Sequence, residues 1–187
     1  MITVEGDTST NDMVTVMSNG LAENRVIDEE NEDYFKFRDH LHYLCEYLAK
    51  AIVADGEGAT KFVEYDVVNA ASGEDARRVV RTVSDSNLVK TALFGRDPNW
   101  GRILAAVGRS GVEIDPEKVD IYIGSRNLIQ VAKDGAYNEF SKKSLKQMLR
   151  SSKIKILIDL NQGEESAVGW GTDFSYEYVR INAEYTT

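Results

Sequence analysis

The sequence predicts an α/β (α+β) chain with two lobes. Segments that alternate apolar and polar residues, as strands do, are interspersed with segments whose apolar residues recur at helical steps of three and four. The pattern changes between Gly108 and Glu113, where helices give way to a hairpin. We therefore expect a mixed helix and strand lobe over residues 1–110 and a smaller α+β domain over residues 111–187.

The N-terminal part opens with an extended, β-branched run at residues 2–4, which predicts a strand. The hydroxyls of residues 8–10 are candidate helix caps, and the apolar run at residues 13–17 predicts a short buried helix. A long helix follows the acidic run at residues 28–33. Its apolar residues recur at helical steps: Phe37, Leu41, Leu44, Leu48 and Ile52.

The middle of the chain alternates a strand with short helices. Residues 62–68 carry apolar side chains at every second position, which predicts a strand. Ser72 and Asp75 have the spacing of a capping box at the start of a helix. Further short helices are expected up to Gly95 and over residues 103–107, on either side of a loop at residues 96–101.

The C-terminal part has the pattern of a hairpin, a helix and two more strands. Residues 119–123 and 128–131 alternate around a Gly-Ser-Arg-Asn turn, which predicts the hairpin. A helix is expected around Leu145. Residues 154–160 predict a strand, with residues 166–170 as its antiparallel partner. Residues 174–181 fit both periodicities, and we predict a helix there.

Composition excludes several classes of protein. The formal net charge of −9 argues against a nucleic-acid surface, because phosphate contacts need clustered Lys and Arg. The single cysteine, Cys45, cannot form an internal disulfide and is expected to be a small buried residue in a reducing compartment. No apolar run is long enough to span a bilayer, so we expect a cytoplasmic protein without a membrane partner.

Three motifs have both a functional and a structural interpretation. The polar run at residues 5–12 follows a strand and could face a ligand, but helix capping is the favoured interpretation. Residues 56–61 are similar to a phosphate-binding loop, yet they lack its spacing and follow a helix, so a helix-ending turn is expected. In that turn Glu57 stands between two glycines as a candidate ammonium ligand. The residues around Trp100, 96–102, are expected to form a structural corner rather than an anion site.

Metal chemistry is not predicted. His40 and His42 are the only histidines, and their spacing places them on different faces of a helix. That arrangement supports neither a metal pair nor a Ser-His-Asp triad. We expect no metal and no cofactor.

Four blocks of the chain together resemble one family. They lie at residues 2–12, which contain Gly-Asp-Thr-Ser-Thr-Asn-Asp, at residues 55–61, at residues 89–102, and at residues 178–185. In content and order they are similar to the self-processing ornithine acetyltransferase / glutamate N-acetyltransferase family of arginine biosynthesis. The resemblance covers essentially the whole chain.

The resemblance implies a mechanism based on a threonine. Members of the family cleave their own precursor before a threonine, whose hydroxyl then acts as nucleophile and whose freed amine acts as base. An acetyl group passes from N-acetylornithine to this threonine and then to glutamate, and acetyl-CoA can be a further acetyl donor in bifunctional members. The family threonine lies roughly thirty residues upstream of the block at residues 2–4. We therefore expect this chain to be a β chain without its nucleophile, inactive alone.

The resemblance also implies substrate-binding residues and partners. It assigns Glu57, Asn182 and Thr187 to substrate binding, since a carboxylate suits an ammonium and polar donors suit carboxylate or acetamide oxygens. The expected partners are the α chain of the same precursor, N-acetylornithine and glutamate, within a higher oligomer of α and β chains. The alternatives are a non-catalytic interaction module and a related self-processing aminopeptidase.

Overall fold

The structure is a computed structural model that describes residues 1–9 and 11–185. Its helices are α1 (Glu32–Ala54), α2 (Gly73–Ser84), α3 (Asn87–Phe94), α4 (Trp100–Gly108), α5 (Lys142–Met148) and α6 (Tyr176–Glu184). Its strands are β1 (Phe62–Ala70), β2 (Asp120–Gly124), β3 (Leu128–Lys133), β4 (Ala136–Tyr137), β5 (Lys153–Asp159) and β6 (Glu165–Thr172). The mixed α/β class predicted from the sequence is confirmed.

The described strands form one six-stranded mixed sheet in the order β4-β3-β2-β5-β1-β6. The predicted hairpin is present as the antiparallel pair β2 and β3. The predicted pairing of β6 with β5 is wrong, because β1 lies between them, parallel to β5 and antiparallel to β6. Strands from both sides of residue 110 therefore share one sheet, and the two-lobe division stays a prediction.

The core lies between the sheet and a layer of helices. Alternate side chains of β1, among them Val63, Tyr65 and Val67, are completely buried. Helix α2 packs on β1 and β6, helix α5 packs on β2, and α4 packs against α2. The predicted capping box is confirmed at α2, where the Ser72 hydroxyl accepts a hydrogen bond from the Asp75 N–H at 3.1 Å.

Several local predictions near the N-terminus are wrong. Residues 13–17 form no helix, and Met13 and Met17 are almost fully exposed. The predicted first strand is reduced to a single parallel bridge between Ile2 and Trp170. Cys45 is exposed, because helix α1 turns most of its apolar stripe to solvent. Periodicity identified the apolar face of α1 without showing whether anything packs on it.

None of the helices in the described part of the chain combines the length and the apolar content needed to cross a bilayer.

Candidate functional site

An acid-lined surface cavity of about 550 Å³ lies where the N-terminal segment, the end of α1 and the start of α6 meet. Five carboxylate side chains line it: Glu5, Asp7, Asp12, Asp55 and Glu57. Tyr178 and Asn182 of α6 complete its opposite wall. No Lys or Arg is among the lining residues of the described chain, so the cavity has a strongly negative lining.

The turn that carries Glu57 is fixed by backbone geometry. Asp55 ends α1 with its N–H bonded to the Ala51 carbonyl oxygen at 3.1 Å. Gly58 has a φ of +64°, and a Cβ at this position would lie 2.4 Å from the backbone nitrogen of Tyr178. Only glycine therefore allows the turn to approach α6 so closely. This approach presents Glu57, which lies one residue earlier, to the cavity.

Helix α6 brings Asn182 to the same place. Its N-cap Ser175 accepts hydrogen bonds from the N–H groups of Glu177 and Tyr178, and the Ser175 hydroxyl donates to the Gly58 carbonyl oxygen. Asn182 is one helical turn beyond Tyr178 and lies on the same face. Its amide nitrogen is 3.1 Å from the Glu57 Oε2 atom. Two residues far apart in the sequence, both predicted from the resemblance, are thus in direct contact.

The N-terminal segment reaches the cavity through the edge of the sheet. The Thr3 N–H donates to the Trp170 carbonyl oxygen at 3.0 Å, and the Thr172 hydroxyl donates to the Val4 carbonyl oxygen at 2.9 Å. These bonds place Glu5 and Asp7 at the cavity wall. The favoured interpretation of this run as a helix cap is therefore wrong, because residues 13–17, which were expected to form the capped helix, are not helical in the described chain.

The negative charge of the cavity affects the ionisation of Tyr178. The pKa of Tyr178 is raised by burial and then by the negative charges of Glu5, Asp7 and Glu57. Both effects disfavour a phenolate, so Tyr178 remains a neutral hydroxyl. A neutral hydroxyl can donate to an anionic group while the surrounding carboxylates accept from a cation.

Asp173 was not identified from the sequence. It is almost completely buried, and its Oδ1 atom accepts from the N–H groups of Thr60 and Lys61 at 2.8 and 2.9 Å. Its Oδ2 atom accepts from the Thr60 hydroxyl. These bonds tie the segment after Gly58 to the end of β6, so Asp173 positions the Glu57 turn. The only signal in the sequence was a short polar residue directly after a strand.

Lys90 was also missed, because a lysine in a short helix usually points to solvent. It is fully buried, and its Nζ atom donates to the Thr172 carbonyl oxygen at 2.9 Å and to the Thr172 hydroxyl oxygen at 3.3 Å. Burial lowers the pKa of Lys90 to about 8, against the opposing effect of Asp85, Asp173 and Glu5. Lys90 therefore holds Thr172 in place, and the Thr172 hydroxyl in turn bonds to Val4 beside the cavity.

Two other motifs have structural roles. The Lys61 ammonium donates to the carbonyl oxygens of Leu149 and Ser151 at 2.8 and 3.2 Å, so it is not directed to a phosphate. Arg102 donates to the Leu88 carbonyl oxygen at 2.9 Å, which joins α4 to α3. These contacts agree with the expected turn and the expected corner.

The third predicted substrate ligand, Thr187, lies outside the described residues, as does Thr10. The role predicted for Thr187 stays a prediction. In the described part, the cavity brings together the other two predicted ligands.

Comparison with known proteins identifies relatives over the whole chain. The ArgJ family profile matches residues 1–187. The arginine biosynthesis bifunctional protein ArgJ of Caldanaerobacter subterraneus subsp. tengcongensis is 47% identical over 188 residues, which covers 100% of this chain and 47% of that protein. The protein of the same name from Bacillus cereus is 48% identical over 186 residues, covering 100% of this chain and 45% of that protein. This chain thus spans about half the length of the curated relatives it matches.

A solved structure gives the same result. The crystal structure of arginine biosynthesis bifunctional protein argJ from Bacillus halodurans superposes with a TM-score of 0.92 and is 46% identical, covering 98% of this chain and 85% of that chain. Sequence and fold therefore agree along nearly the whole length. The chain belongs to the ArgJ family.

Proposed function

We propose that this chain forms the amino-acid-binding side of an acetyltransferase that moves an acetyl group from N-acetylornithine to glutamate. The observation that supports this proposal best is the contact between Glu57 and Asn182 inside an acid-lined cavity. The relatives are named bifunctional proteins of arginine biosynthesis, which agrees with an amino-acid substrate.

The charge of the cavity favours the acetyl donor over the acceptor. At neutral pH the side-chain ammonium of N-acetylornithine balances its single carboxylate, whereas glutamate has two carboxylates and one ammonium and is a net anion. Five carboxylates around the cavity attract an ammonium and repel a net anion. In the proposed complex Glu57 accepts from the ammonium, and the Asn182 amide donates to the carboxylate or the acetamide oxygen.

The chemical steps follow from a threonine nucleophile. Its hydroxyl attacks the acetamide carbonyl, the amide C–N bond breaks, and ornithine leaves with a proton on its amine. The glutamate amine then attacks the acetyl ester and regenerates the hydroxyl. The proposal assigns no nucleophile within the 187 residues, takes the oxyanion-hole donors from the α chain, and retains acetyl-CoA as a further acetyl donor.

Three further parts of the proposal concern organisation. Thr187 is proposed as a third substrate ligand, and residues 1–110 are proposed as the acetyltransferase core part, with residues 111–187 as a C-terminal domain. The chain is proposed to work in the cytoplasm, with the α chain, in an oligomer of α and β chains.

Kinetics of the complete gene product that contains this chain would test the proposal. We expect Glu57→Gln to raise the KM for N-acetylornithine by about tenfold to a hundredfold, because a charge-assisted hydrogen bond to the ammonium is lost. Self-cleavage should continue, since Glu57 lies in a surface cavity. Ornithine release from N-acetylornithine plus glutamate gives the rates, and gel electrophoresis of the two chains gives the cleavage.

Glu184→Gln is the matched control, because Glu184 lies on the same helix, is exposed and pairs with Arg180 outside the cavity. Its KM should stay unchanged. The 187-residue chain by itself should release no ornithine. An unchanged KM in Glu57→Gln would remove Glu57 from the site, and turnover by the isolated chain would contradict the assignment of the nucleophile.

A further inference from the structure

Two further cavities lie on the part of the surface formed by helix α5, away from the acidic cavity. One has a volume of about 450 Å³ and is lined by the loop before α4, by β4 and by α5. The other has a volume of about 510 Å³ and extends past α5 toward Arg96 and Arg150. The two share Lys143 and Lys146, so they lie side by side, and we name them together the basic groove. The basic groove shares no lining residue with the acidic cavity.

The basic groove concentrates positive charge on an acidic protein. Its five cationic side chains belong to Arg96, Lys142, Lys143, Lys146 and Arg150. Within residues 1–9 and 11–185, no ion pair involves any of them, although the chain has a net charge of −9. Like charges at helical steps of three and four repel each other and weaken a short helix. An anionic ligand would relieve that repulsion.

The other end of the basic groove is aromatic. Trp100, Tyr137 and Phe140 line it, and their ring centroids are 6.4 Å apart between Trp100 and Tyr137 and 5.6 Å apart between Tyr137 and Phe140. Tyr137 is half exposed, so a face of this cluster is open to a ligand. Planar rings stack on such side chains with little dependence on their substituents.

We propose that the basic groove binds a nucleoside polyphosphate, with its base on the aromatic end and its phosphates among the lysines and arginines. A bare phosphate would use only the cations, and an apolar ring would use only the aromatic residues. A ligand that has both parts, joined by a sugar, matches both ends of the basic groove. Asp97 lines the aromatic end, where its carboxylate accepts a hydrogen bond from the Asn99 amide at 3.0 Å. Because this negative charge would repel phosphates, we place the phosphates at the opposite end.

Two sources share this ligand chemistry, a free adenine nucleotide and the adenosine phosphate part of coenzyme A. Separate titrations with ADP and with coenzyme A distinguish the two sources. Calorimetry and the fluorescence of Trp100 report binding, and a Trp170→Phe background removes the only other tryptophan of these 187 residues. Inorganic phosphate serves as the probe for the cationic end alone.

Two variants separate the two ends, and a third is their control. Tyr137→Ala should weaken ADP binding about tenfold and leave phosphate binding unchanged, because it removes a stacking surface. Lys146→Gln should weaken the binding of both ADP and phosphate, and the loss should shrink at high salt. Arg126→Gln is the matched charge control: Arg126 is exposed in the turn between β2 and β3, lines neither cavity and should change nothing. Circular dichroism confirms that each variant is folded.

Saturable ADP binding that responds to both Tyr137→Ala and Lys146→Gln supports the site. Tighter binding of coenzyme A than of ADP then identifies coenzyme A as the source, and equal or weaker binding identifies the free nucleotide. The proposal is overturned if ADP fails to saturate, if ADP binds no more tightly than phosphate, or if Arg126→Gln weakens binding as much as Lys146→Gln does.

Discussion

Helices α1 and α2 have similar sequence patterns and opposite environments. Both place apolar residues at steps of three and four, which predicts one apolar face on each. Helix α2 buries that face completely through Ala76, Val79 and Val83. Helix α1 leaves Phe37 59% exposed and Leu44 50% exposed. The apolar stripe of a helix therefore identifies the face that can be buried, and the partner element decides whether it is.

The difference has a geometric cause. Helix α2 lies across β1 and β6, and its apolar stripe belongs to the same buried core as the strand side chains. Helix α1 contacts the sheet mainly beside β6, and its one buried residue is Val53, next to the turn that carries Glu57. We therefore expect stability to depend on the sheet and α2 far more than on the exposed length of α1.

The largest expected effect is the loss of a side chain from the centre of the sheet. Ile156 of β5 is completely buried between β1 and β2, so Ile156→Ala should lower the free energy of unfolding by about 3–4 kcal/mol, through lost burial and a cavity. Leu44→Ala on α1 should cost less than about 1 kcal/mol, because Leu44 is half exposed. Urea unfolding measures both, and equal losses would contradict the difference between the two regions.

A smaller loss of stability is expected when alanine replaces a glycine of positive φ, and the loss should be larger in a packed turn than in an exposed segment. Gly58→Ala should cost about 2–3 kcal/mol, because its φ is +64° and the added Cβ would overlap the Tyr178 backbone. Gly20 has a φ of +71° in the exposed N-terminal segment, with no atom near its Cβ position. Gly20→Ala should therefore cost only about 1 kcal/mol, from backbone strain alone. If thermal unfolding shows that the two variants lose the same stability, the close packing against Tyr178 is not the reason that position 58 requires glycine.

The smallest expected effect is the change of stability with pH that the buried Lys90 ammonium causes. The folded chain loses the Lys90 proton near pH 8, whereas the unfolded chain keeps it to about 10.5, so the unfolded state binds more protons between these values. Stability should accordingly rise by about 2 kcal/mol from about pH 7.5 to about pH 9.5, relative to Lys90→Met. Lys50 of α1 is partly exposed and paired with Glu46, so Lys50→Met should keep the rise. A pH profile in Lys90→Met that parallels the unmodified chain would refute the assignment.

The sequence predicted the elements better than their partners. Strand β1, the capping box at Ser72 and the hairpin of β2 and β3 depend on neighbouring residues, and all three are confirmed. The pairing of β6 depends on which distant strand lies beside it, and the nearest strand along the chain was the wrong choice. The apolar run at residues 13–17 has the pattern of a short buried helix but is exposed and not helical, because a local pattern gives no information about burial.

The candidate site also divides into residues that the sequence predicts and residues that only the structure reveals. The resemblance in four blocks identified Glu57 and Asn182, and the structure places their side chains in contact. The buried Asp173 and the buried Lys90 were not identified, because each bonds to residues distant in sequence. For the acidic run at residues 5–12 the sequence offered a ligand-facing interpretation but favoured a helix cap.

The sequence alone determined the family, the class of fold, most helix and strand positions and two residues of the cavity. It could do so because periodicity, capping and motif order are local properties of the chain. The tertiary structure decided that β1 separates β5 from β6, that α1 is exposed while α2 is buried, and that five carboxylates converge on one cavity. These features arise from contacts between distant segments, and no local pattern encodes such contacts.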